Sequence, residues 1–212
     1  MDEQLVASPL ASLLSAHAGA DASRHRMLWA LDERFGQIAA TTSEPMIGRI
    51  KLAWWQEALT DEAGLKGRGE PLVDRMRGAA MLPPKGLAAW IDGWEALIEG
   101  ADLADFARGR GGGLFHALSG QEDIPQWLGD AGAVWALWDL SSHSHNEGRA
   151  NEAVEVARGM MLRPAPRWPS AWRPMRIAYQ LAEYDIRRGR SAPKNLTPGL
   201  YLRLIRIALT GR

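Results

Sequence analysis

The sequence predicts an all-α single domain, and three observations carry that reading. Apolar residues recur at spacings of three and four along the chain, almost no stretch sustains the alternation that a half-buried strand needs, and prolines and capping residues recur at helix-length intervals. At 212 residues the chain is long enough for one sizeable core, so the domain is taken as 1–212.

The periodicity predicts helices over about 4–18, 22–41, 45–62, 71–80, 86–100, 102–119, 126–145, 149–162, 174–189 and 198–210. In 22–41, Arg24, Leu28, Leu31, Phe35 and Ile38 share a stripe, and Asp32 lies beside it, leaning inward. Ser43 and Pro45 announce the next helix. That helix has two apolar stripes, Ile47/Ile50/Trp54 and Leu52/Trp55/Leu59, a pattern expected of a helix covered on most of its circumference and central to the bundle. Glu57 edges its tryptophan face, and Asp61 reads as a solvated helix end. Pro83-Pro84 breaks the pattern, and Asp102 with Asp105 complements the dipole at a helix start. The glycines from Gly109 to Gly113 flank Arg110 and predict close helix packing, since no strand and no Lys-Ser/Thr of a phosphate-binding loop accompanies them. Arg163 to Pro169 is too rich in proline to be helical and forms an extended connector, while Thr197-Pro198 opens the last helix.

Composition narrows the function. The 25 basic and 25 acidic residues cancel, which argues against nucleic acid as a partner and leaves at most peripheral membrane contact through local patches. The basic run Arg187-Arg188-Gly189-Arg190 with Arg203, Arg206 and Arg212 is one such patch. No cysteine is present, so disulfides, thiolate metal sites and thiol nucleophiles are excluded, in keeping with a reducing compartment. The start, Met1-Asp2-Glu3-Gln4, lacks the basic region and apolar core of a secretory signal, and no apolar run approaches the ~20 residues of a membrane span. The expected location is cytoplasmic, with possible contact at the inner face of the membrane. His143 and His145 are two apart, a poor chelate on a helix.

Four segments carry a resemblance. They are Asp32-Glu33 through Ser43-Glu44 to Arg49-Ile50-Lys51-Leu52-Ala53-Trp54-Trp55, then Phe106 to Phe115 with its small residues, then Asp139 to His143 followed by Gly148-Arg149, and the run Leu181 to Arg212. Together they resemble the squalene/phytoene synthase family, the head-to-head prenyl synthases, and within it the short members that act in assembly of respiratory complex I. Those relatives also show one acidic residue where synthases show Asp pairs, before a Ser-Glu and an aromatic-rich helix. The resemblance implies a helical bundle of the isoprenoid synthase type with a central apolar cavity near Trp54, Trp55, Phe115 and Trp135.

Ionising an allylic diphosphate requires magnesium ions held by carboxylates at i and i+4 on two facing helices. Here Gly36 stands four residues after Asp32, and His143 stands four after Asp139. Two expectations follow. In the first, the chain keeps the bundle but acts by binding an apolar ligand or a protein partner, with Arg49, Trp54, Trp55, Glu57, Phe115, Trp135 and His143 around the cavity and no cofactor. In the second, Asp32, Glu33 and Asp139 hold Mg²⁺, Arg49 meets a diphosphate, and isoprenoid diphosphates are condensed. The reduced carboxylate set favours the first.

Overall fold

The computed structural model describes residues 7–144 and 146–211. These residues form ten α-helices and no strand: α1 (Pro9–Ala16), α2 (Ala22–Thr41), α3 (Pro45–Thr60), α4 (Pro71–Gly78), α5 (Leu87–Glu99), α6 (Leu103–Ser119), α7 (Gln126–His143), α8 (Glu147–Met160), α9 (Arg173–Ile186) and α10 (Pro198–Thr210). Each expected helix is present, the first shorter than expected at Pro9–Ala16 with residues 4–6 of its expected span outside the described residues, and residues 161–169 are non-helical as their prolines require. No helix among the described residues is long and apolar enough to cross a membrane.

Local chemistry accounts for the helix ends. The Ser8, Asp102, Asn146 and Thr197 side chains accept backbone N–H bonds from Ala11, Ala104, Arg149 and Leu200, satisfying donors that the first turn leaves without partners. Ser43 does not cap α3. Glu44 flanks that helix without a side-chain bond, so the proline at the first helical position is what starts it. Three arginines close C-termini from neighbouring helices. Arg24 donates to the Ala117 and Leu118 carbonyls, Arg158 to Ile186 and Arg173 to Ala208, where a cation also complements the helix dipole.

The helix at the centre is α7, not α3. In α7 every residue from Ala131 to Trp138 is buried, because small and apolar residues occupy all its faces and neighbours can approach from every side. Only one of the two stripes of α3 is covered. Leu52, Trp55 and Leu59 are buried, whereas Ile47, Ile50 and Trp54 are exposed, as is Met46. Two apolar stripes suggested two neighbours, and tertiary packing supplied a neighbour for one.

Glycines bring α5, α6 and α7 together. A Cβ at Gly109 would lie 2.5 Å from the Gly93 Cα, one at Gly113 would lie 2.5 Å from the Trp90 Cβ, and one at Gly111 would overlap the Gly132 carbonyl. Backbones therefore touch at these points, which is the close packing the glycine run predicts. This contact also sets the depth of Arg110, whose neighbours in sequence on both sides are glycines lying against other helices.

Candidate functional site

Asp32 projects from the middle of α2 into the bundle and is 2 % exposed. Its Oδ1 accepts the indole N–H groups of Trp90 at 2.9 Å and Trp94 at 3.2 Å, both from α5. Arg110 approaches from α6 and is also buried. Its Nη2 donates to Asp32 Oδ2 at 2.7 Å and to Asp139 Oδ2, on α7, at 2.7 Å. Asp32 and Asp139 thus face one another across a single guanidinium nitrogen. Arg110 Nε adds longer bonds to both Asp32 oxygens, and the guanidinium lies over the rings of Trp94 (4.4 Å) and Trp135 (4.8 Å). Burial alone would lower the Arg110 pKa, but the charges of Asp32 and Asp139 outweigh it and raise the pKa above the ordinary arginine value. The guanidinium is therefore a permanent cation held between two carboxylates.

This centre lines a cavity of about 680 Å³. Leu10, Leu14, Leu97, Leu196 and Leu200 supply apolar wall, together with Trp29, Trp135 and Trp138. The rings of Trp29 and Trp135 meet edge to face at 4.8 Å, and their indole N–H groups are buried without a hydrogen-bond partner. Exposed Arg149 and Lys194 also line the cavity. Glu33 lines it too, accepting the Ser8 N–H at 2.7 Å. Burial raises the Glu33 pKa, and the Ser8 hydrogen bonds oppose that rise.

The remaining expected site residues are scattered. Arg49 pairs with Glu99 at 3.1 Å on the surface, and Glu57 pairs with Lys66 at 2.7 Å. Trp54 is 45 % exposed, while Trp55 is buried edge to face against Phe35. Phe115 is fully buried and stacks on Trp135. None of these five lines the cavity, although Phe115 stacks on Trp135, which does. Of the residues named from sequence, Asp32, Glu33, Trp135, Asp139 and His143 do line it. His143 is exposed, with Nδ1 3.0 Å from the Asp139 carbonyl, and His145 lies outside the described residues.

Arg110, Trp90 and Trp94 are the residues sequence reasoning missed. The available signal was an arginine between glycines in a helix centre, beside an inward aspartate on another helix that lacked its counter-charge. A second buried carboxylate went unnoticed as well: Asp185 on α9 accepts the Trp138 indole N–H at 3.2 Å and pairs with Arg203 of α10 at 2.7 Å.

The magnesium site of a prenyl synthase does not fit these residues. Among the described residues no group of three or more His, Asp or Glu side chains could hold a metal ion, and the space between Asp32 and Asp139 contains the Arg110 guanidinium. The fold and site define an all-α bundle with a buried carboxylate–guanidinium–carboxylate centre beside a cavity. Compared with family models, curated proteins and solved structures, the chain matches none.

Proposed function

We propose that the chain is a squalene/phytoene synthase-like bundle of the isoprenoid synthase type that acts by binding and not by prenyl condensation. One observation carries this reading: an arginine bridges the two aspartates at 2.7 Å on each side, where the resemblance implies a metal. A guanidinium neutralises carboxylates but has no open coordination position for a diphosphate oxygen, so it cannot supply the Lewis acidity that ionisation requires. The cavity beside it has apolar walls and suits an apolar ligand, of which an isoprenoid is one class. A role as an assembly partner, including one for a respiratory complex, rests on the sequence resemblance.

The test combines thermal shift with a product assay. The protein is titrated with farnesol, farnesyl diphosphate and geranylgeranyl diphosphate, each with and without Mg²⁺. Stabilisation that is independent of Mg²⁺, with no condensed product, is expected. Product formation that requires Mg²⁺ would overturn the binding reading in favour of an active prenyltransferase.

A further inference from the structure

Charge along this neutral chain is distributed unevenly. Residues 187–212 contain seven Lys and Arg side chains and no Asp or Glu, so all 25 carboxylate side chains lie before them. The fold gathers several of these cations. Arg188 and Arg203 both stack on the ring of Tyr184, at 3.6 and 3.7 Å from its centroid. The Arg190 N–H bonds to the backbone carbonyl of Asp185, whose carboxylate holds Arg203. Arg206 follows Arg203 by one turn on α10. Of these, Arg188, Arg190 and Arg206 are exposed and have no acidic partner among the described residues.

The outer face of α10 is also apolar. Leu202 is 66 % exposed and Leu209 is 79 % exposed, and with Arg206 between them at helical spacing they form one strip. The opposite side of the helix, Leu200, Leu204 and Ile207, is buried and holds it to the bundle. A helix fixed by its inner stripe, with exposed leucines set among uncompensated arginines, has the chemistry of an element that lies in a membrane interface.

We propose that the outer face of α10, with Arg188 and Arg190, docks on the surface of an anionic lipid bilayer. The arginines meet lipid phosphates while Leu202 and Leu209 enter the acyl boundary. Charge complementarity selects this occupant over a second copy of the chain, whose matching surface would be equally cationic. The leucines select it over a soluble polyanion, which has no use for them. The surface is separate from the Asp32–Arg110–Asp139 centre, so the proposal stands or falls apart from the binding reading of the cavity.

The experiment is flotation of the full chain with vesicles of phosphatidylcholine alone or with a third of phosphatidylglycerol. Binding at least about tenfold tighter to the phosphatidylglycerol vesicles is expected, and it should be lost at about 1 M NaCl, where the screening length falls to about 3 Å. Two double variants follow, Arg190→Glu with Arg206→Glu, and Leu202→Ser with Leu209→Ser, each checked for native helicity. Both should weaken binding by about tenfold or more. Equal binding to the two vesicle types, or binding retained after arginine reversal, would overturn the proposal. So would heparin capture that is indifferent to the leucine changes in a protein that fails to float with vesicles. If a variant does not fold, the lipid and salt dependence of the unaltered chain still decides.

Discussion

At the scale of the residue, the centre of the molecule is an ion triad that cannot be dismantled one member at a time. Asp32 accepts two indole N–H groups and binds the Arg110 guanidinium, and all four side chains are buried. Asp32→Asn should therefore cost about 3–5 kcal/mol in urea denaturation, because it leaves a buried guanidinium with a single carboxylate. Asp139→Asn should cost less, about 1–3 kcal/mol, since the Asp139 side chain is 21 % exposed and water can take over part of its role. His25 gives a pH-dependent prediction. Burial, and then the adjacent Arg24, push its pKa down to about 4. The folded value lies below the unfolded one of about 6.5, so its contribution is complete above that pH and is lost as pH falls towards about 4. Between about pH 7 and pH 5 the native chain should lose about 2 kcal/mol more than His25→Gln does, read from paired denaturation curves.

At the scale of the element, glycine has opposite values within one helix. Gly111→Ala would drive a methyl group into the Gly132 carbonyl and separate α6 from α7, at a cost of about 3 kcal/mol or more. Gly112→Ala meets nothing nearer than 3.8 Å and should stabilise the same helix by about 0.5–1 kcal/mol through lower unfolded-state entropy. A melting series on the pair separates packing from propensity. Tryptophans on α3 and α5 differ in the same way. Trp54→Ala should cost only about 1 kcal/mol because the ring is half exposed, whereas Trp90→Ala, which removes a fully buried ring and a donor to Asp32, should cost about 3–5 kcal/mol.

At the scale of the whole molecule, the formal charge is zero while one end is cationic and the remainder acidic. At zero net charge no overall repulsion keeps copies of the chain apart. Solubility should pass through a minimum near pH 7 and rise when salt is added, as turbidity measured across a salt series would show. The same polarity orients the C-terminal surface towards an anionic partner before any contact is made.

The ten helices were legible in the sequence because helix formation depends on neighbours three and four residues apart, on caps and on prolines, all of which are local. The inward lean of Asp32 and the close packing at Gly109 to Gly113 were legible for the same reason. Which residues meet was not. Two apolar stripes on α3 could not reveal that only one would be covered, because burial depends on what other helices supply. Arg110 is 78 residues from Asp32 and 29 from Asp139, and periodicity holds no information about such pairings. Tertiary structure alone decided that an arginine stands between the two aspartates, because glycine contacts hold α6 against α7, which carries Asp139, while α2 packs on α6 and brings Asp32 to the same guanidinium.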